Sequence, residues 1–186
     1  MTTAPDHGPR PANSRPANSH ADNPHPADAD YPAADHQLAQ INIARLLAPI
    51  DSAQLADFVA ALDPVNAVAD AADGFVWRLQ EENGGNATDF RVFDDDWLIV
   101  NMSVWRDPEA LTTYVYGPEH RAVLGRRREW FARPMEAMTA LWWIPAGAYP
   151  TVADAEKRLL SIRTNGPTAE AFTLRDPYPN PGSAGG

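Results

Sequence analysis

The chain has 186 residues, 44% of them hydrophobic and 22% charged, which suits one soluble domain with a real core and is too short for two comfortable ones. A net charge of −10 argues against nucleic acid and against anionic membrane surfaces as partners. The absence of cysteine excludes disulfides, thiolate metal sites and cysteine nucleophiles, and fits a reducing, cytoplasmic setting.

No basic segment leads into an apolar run at the N-terminus, so no secretory leader is expected. Residues 1–36 read as a disordered tail. They hold seven of the 18 prolines, no Trp or Phe, and an immediate repeat of Arg-Pro-Ala-Asn-Ser. Such a segment buries too little apolar surface to offset its ordering entropy. Four of the five histidines (His7, His20, His25 and His36) lie in it at irregular spacing, as expected of a solvated linker.

The domain is expected over residues 37–175, with a flexible end over 176–186. Leu38–Leu46 reads as a strand. Asp51 then caps a helix, with Gln54 as its capping-box partner. Leu55, Phe58, Val59 and Leu62 form the apolar stripe. Pro64 breaks or restarts that helix with Asp63 as a second cap, and Gly74 ends it. Phe75–Gln80 alternates as a strand, and Glu81–Asp96 is a long acidic connection. Trp97–Trp105 is the clearest strand of all. Asp107-Pro108-Glu109 starts a helix that runs to Tyr116, breaks at Gly117-Pro118 and resumes through Phe131. Met138–Ile144 is a fourth strand. Thr151, with Asp154 at N3, caps a last helix that Gly166-Pro167 stops. The order β-α-β-β-α-β with an extra C-terminal helix is the ferredoxin-like α+β arrangement, an antiparallel sheet with helices on one face.

Alternation divides Trp97–Trp105 into two faces. Leu98, Val100, Met102 and Val104 form a wholly apolar face, expected beneath the helices. Trp97, Ile99, Asn101, Ser103 and Trp105 form the other. In the first strand Gln40 and Asn42 share a face, and in the second Arg78 and Gln80 oppose Phe75, Trp77 and Leu79. A face that mixes tryptophans with amides reads as a cavity wall or subunit interface more readily than as bare solvent-facing sheet. Asn42, Trp97, Asn101, Ser103 and Trp105 are therefore candidate ligand-binding residues, with Tyr116 and Trp143 as further aromatic candidates.

His120 is the one histidine outside the tail. On a helical projection it falls within about 60° of Leu124, Arg127 and Phe131. Arg127 in that stripe is a guanidinium that burial would force to find a partner. His120 could serve as general base, acid or metal ligand. A structural histidine and a snorkelling arginine stem remain the plainer alternatives. A multi-histidine metal site is excluded, and no P-loop, dinucleotide-binding fingerprint or nucleophile elbow is present.

Five segments taken as a set (LAQINIARL, FDDDWLIVNMSVW, HRAVLGRRREWF, LWWIPAGAYPT and NGPTAEAFTLR) resemble a bacterial family, the domain of unknown function DUF3291. The likeness extends from about Gln37 to Arg175. It implies membership of the dimeric α/β-barrel superfamily, with its antibiotic-biosynthesis monooxygenase-like proteins, and a homodimer whose sheet faces meet. Three functions then compete. One is a cofactor-independent oxidation of an aromatic or polycyclic substrate, with His120 as base, Arg127 or Asn101 at the oxyanion and tryptophans as walls. Another is a non-catalytic module that binds a small hydrophobic or aromatic molecule, or only dimerises. The third is haem binding through His120, with Arg127 or Arg128 near a propionate.

Overall fold

A computed structural model describes residues 35–80, 87 and 90–183. The expected tail before residue 35, half of the acidic connection and the last three residues lie outside the described residues. Strand β1 (His36–Arg45) pairs with β3 (Leu98–Trp105) on one side and β4 (Thr139–Pro145) on the other, and β2 (Phe75–Arg78) joins the outer edge of β3. Every pairing is antiparallel, in the order β2-β3-β1-β4. Helix α1 (Ala56–Asp70) links β1 to β2, α2 (Pro108–Val115) and α3 (Pro118–Trp130) link β3 to β4, and α4 (Val152–Asn165) follows. Two split β-α-β units interleaved in this way give the ferredoxin-like fold.

Several local signals act as expected. The Asp107 carboxylate accepts from Ala110 N at 2.8 Å, and Pro108 opens α2 behind it. Gly117-Pro118 separates α2 from α3. Thr151 and Asp154 form a reciprocal capping box at α4, each side chain accepting from the other's backbone N at 3.1 Å. The first helix departs from expectation. Asp51 and Gln54 do not cap it: turns at Ser52–Leu55 delay α1 to Ala56, and Gln54 Nε2 donates instead to Glu129 O at 3.1 Å. Pro64 neither breaks nor restarts α1, and Asp63 starts no second helix. The Pro64 ring lies on the exposed side, where water can satisfy the carbonyl that its missing N–H releases.

The sheet is covered on both faces. Ala39, Ile41, Ile43, Leu98, Val100, Met102, Val104, Ala140 and Trp142 pack with Ala155, Leu159 and Ile162 of α4. The apolar face of β3 thus lies beneath α4. The mixed face lies beneath α1, α2 and α3: Leu38, Phe75, Trp105 and Leu141 pack with Ala69, Ala110 and Leu111, and Leu46 packs with Leu55, Phe58 and Trp130. This corrects the expected use of the two faces, because the mixed face is roofed by the chain's own helices rather than by a partner's sheet. A β-bulge between Phe75 and Trp77 makes a second correction. It turns Phe75 onto the Trp105 side, with Arg78, while Trp77 packs into the α4 core. Gly74, at φ +77°, makes the close turn into β2, where a Cβ would meet the Ala110 side chain at 2.6 Å.

Residues beyond 175, expected to be flexible, run back along the sheet as far as they are described. Tyr178 O accepts from Trp143 Nε1 at 2.9 Å, and Asn180 Nδ2 donates to His36 O at 3.4 Å. Among the described residues no helix is long and apolar enough to cross a membrane.

Seating α4 on the sheet predicts opposite costs for two adjacent leucines. Leu159 is fully buried, whereas Leu160 is 51% exposed. Leu159→Ala should lower unfolding free energy by about 2–5 kcal/mol. Leu160→Ala should change it by no more than about 0.5 kcal/mol. Urea denaturation of both variants checks the arrangement, and equal effects would contradict it.

Candidate functional site

The helices do not rest on the mixed face everywhere. Asn42 and Asn101 face each other across the two central strands, yet both are exposed. A residue in mid-sheet beneath a helical layer reaches solvent only where that layer stands off. The gap holds two adjoining cavities of about 150 and 190 Å³. Asn42, Asn66, Arg78, Asn101 and His120 line both and form a polar belt between them. One lobe is walled by Phe58, Leu62, Ile99, Val123 and Phe131. The other is walled by Phe75, Trp105, Leu111, Tyr114 and Leu141, with Gln40 and Ser103 on its floor. Apolar walls with a few convergent polar groups are the usual chemistry of a small-molecule site.

His120 enters from the first turn of α3 and is half-buried. Its Nδ1 lies 3.0 Å from the carbonyl of Val115, near the C-terminus of α2. That carbonyl ends a helix and lacks an intrahelical donor. A carbonyl can only accept, so Nδ1 carries the proton and Nε2 keeps its lone pair. The ring lies 4.8 Å from Tyr114, whose own ring stacks on Trp105 at 5.0 Å. Burial holds the His120 pKa below the ordinary histidine value, and the Val115 hydrogen bond opposes this more weakly. Burial also pushes the Tyr114 phenol up to about 12, so it stays protonated at neutral pH.

The floor of the second lobe is a closed hydrogen-bond chain. Trp105 Nε1 donates to Ser103 Oγ at 2.8 Å, and Ser103 Oγ donates to Gln40 Oε1 at 2.8 Å. Gln40 Nε2 reaches Asn101 O at 3.5 Å. Ser103 and Gln40 are buried polar residues, and these bonds are what make their burial tolerable. Arg78 stands at the β2 edge of the belt, with its Nε and Nη2 on the Asp70 carboxylate at 2.8 and 3.3 Å.

The structure gathers His120, Asn42, Asn101, Ser103 and Trp105 around the cleft, and leaves four expected residues outside it. Arg127 is exposed, donates through Nη1 to Leu124 O at 2.8 Å and lines neither cavity. Its expected burial in an apolar stripe is thereby corrected, since the buried side of α3 centres on Val123 and Trp130. Trp97 is 45% exposed and Tyr116 61% exposed. Trp143 packs toward Phe172 and Tyr178, away from the cavities. Sequence reasoning missed Arg78, Asn66, Gln40 and Tyr114 as site residues. Asn66 carried a usable signal, because it continues the Phe58–Leu62 stripe at i+4 with a polar side chain. Among the described residues no group of three His, Cys, Asp or Glu could hold a metal ion.

The chain belongs to the family described as a domain of unknown function, DUF3291, whose model matches residues 37–185. No curated protein matches it. Among solved structures it is similar to the cofactor-independent oxygenase SnoaB of Streptomyces nogalater, at 19% identity and TM-score 0.40, over 62% of this chain and 97% of that one. It is also similar to Rv0793 of Mycobacterium tuberculosis, at 17% identity and TM-score 0.39, over 62% and 99%. A third is NE2512 of Nitrosomonas europaea, a protein of unknown function, at 16% identity and TM-score 0.40, over 63% and 96%. Likenesses at this level assign neither activity nor ligand to the chain.

Two stability measurements follow from the site. The unfolded chain protonates His120 near the ordinary value of 6.5, and the folded chain only at lower pH. The unfolded state holds more protons in that window, so stability falls as pH drops through it. Replacing His120→Gln should flatten this decline between about pH 7.5 and 5.5, read as the difference between wild-type and variant urea midpoints. Ser103→Ala strands Trp105 Nε1 and Gln40 Oε1 in the interior. It should cost about 1–3 kcal/mol by the same assay, and a neutral effect would contradict the buried chain.

Proposed function

Starting from a DUF3291 member whose sheet and helices enclose a two-lobed cleft, we propose that the cleft binds a small hydrophobic or aromatic molecule and that His120 accepts a proton from it. The observation that carries this reading is the Nδ1 contact with Val115 O at 3.0 Å. It fixes the tautomer and leaves Nε2 as a proton acceptor, and burial keeps the ring neutral. A general base needs both properties. The apolar lobes supply binding surface, and the carboxamides of Asn42, Asn66 and Asn101 supply donors for an oxygen that gains negative charge.

The reaction this arrangement serves is removal of an acidic proton from an aromatic substrate. The carbanion so formed can be oxidised by dioxygen, the cofactor-independent chemistry that the family resemblance implies. A homodimer in this reading pairs through surfaces other than the two sheet faces, which α1–α4 cover within one chain.

Binding and chemistry separate experimentally. Leu62→Trp fills the first lobe and should abolish binding of 2-naphthol, followed by tryptophan fluorescence, while His120→Gln should leave binding within a few-fold. On a substrate found by screening phenols and ketones for oxygen uptake, His120→Gln should lower turnover by about 10²–10⁴-fold. Unchanged turnover would remove His120 as the base. Binding that survives Leu62→Trp would move the ligand elsewhere.

A further inference from the structure

The belt of the cleft has a charge character opposite to that of the chain. The chain carries a net charge of −10, yet among the described residues no Asp or Glu lines either cavity. His120 is neutral, and among the described lining residues Arg78 carries the fixed charge. A guanidinium cannot be deprotonated in a protein, so that charge persists at every working pH. Its side chain is 16% exposed and lines both lobes, whereas the carboxylate that orients it, Asp70, is 44% exposed and lines neither. The positive end of the ion pair therefore borders the cleft and the negative end borders solvent.

Resting on the reading of the cleft as a ligand site, we propose that it selects acidic aromatic molecules, phenols or enols, and holds them as the oxyanion beside Arg78. The ligand's O–H bond breaks and its proton passes to His120 Nε2 or to water, with no change in oxidation state. Among the described residues, three elements supply the titratable groups that face the oxyanion. Arg78 comes from β2 and His120 from α3, while Tyr114 from α2 stays protonated. Asp70 stands behind Arg78 at the end of α1, and β1 and β3 present only amides and the Ser103 hydroxyl. An amine or other cation meets Arg78 and no carboxylate among the described lining residues, and is disfavoured.

Two effects oppose each other in the bound ligand. Transfer into an apolar lobe disfavours the ionised form and raises a phenol's pKa, whereas a nearby fixed cation lowers it. The belt is open enough to leave Asn42 and Asn101 exposed, which limits the desolvation, so the cation wins. The sign of the shift is thus the test, and packing alone would move it the other way.

The probe is 7-hydroxycoumarin, whose phenol and phenolate absorb at separate wavelengths, with 7-methoxycoumarin as the non-ionising control. Bound to the wild-type protein, the hydroxy probe should ionise about one pH unit lower than free, which is tenfold tighter binding of the phenolate. Arg78→Gln should abolish or reverse that shift, with the methyl ether still binding within about twofold of wild type. Arg78→Lys should keep the shift in part, and Asp70→Asn should enlarge it by removing the competing carboxylate. A bound probe that titrates at or above its free value, or an equal shift in Arg78→Gln, overturns the proposal while leaving the cleft a binding site. Failure of both coumarins to bind overturns the cleft reading together with it.

Discussion

The register between β1 and β3 is the constraint on which the rest of the structure depends. It sets Leu38 against Trp105, Gln40 against Ser103 and Asn42 against Asn101. A slip of one residue would turn each of these side chains to the opposite face of the sheet. In the observed register the three pairs form a graded floor, from apolar through buried and hydrogen-bonded to open and polar. The apolar end seats α2, the hydrogen-bonded middle holds Trp105 upright, and the open end leaves room for a ligand. The same register sends Ile41, Met102 and Val104 to the other side, where α4 closes over them.

Burial and openness then divide the chemistry. His120 lies far enough inside to remain neutral, while its hydrogen bond to the end of α2 fixes which nitrogen carries the proton. Tyr114 connects the two ends of the site, stacked on Trp105 on one side and set against His120 on the other. Trp105 is in turn held by Ser103 and Gln40, so the orientation of the imidazole is linked to a buried chain that begins on β1. The polar groups of the mixed face are tolerated beneath helices because some pair with one another and the others border a cavity.

Much of the fold was legible because it rests on local rules. Asp107-Pro108, Gly117-Pro118 and Thr151 with Asp154 carry their capping chemistry in the residues themselves, and the alternation of β3 separates its two faces correctly. Which face the helices cover was not legible, since alternation is blind to what lies above each face. Arg78 lies opposite Trp77 as alternation places it, and the bulge in β2 moves only Phe75; that Arg78 borders a cavity depends on where the helices stand off the sheet, which the pattern of residues does not record. Arg127 looked buried because the projection centred the stripe of α3 one position away from Val123 and Trp130. Pro64 looked like a breaker because its exposure on the outer side of α1 is a tertiary fact. His120 and the Asn101–Trp105 face were found as parts, but the cleft that joins them exists only once α1 and α3 stand over the sheet.

His120 sits in the cleft as a neutral ring with its proton on Nδ1 and its Nε2 lone pair available to a ligand. A long-range nitrogen–proton correlation spectrum of the imidazoles at neutral pH tests it most directly, with the His120 signals assigned by their loss in His120→Gln. The Nδ1–H tautomer is expected, with the unprotonated Nε2 resonance moving when 2-naphthol is added. A proton on Nε2, a charged imidazolium, or an Nε2 signal indifferent to the ligand would contradict it.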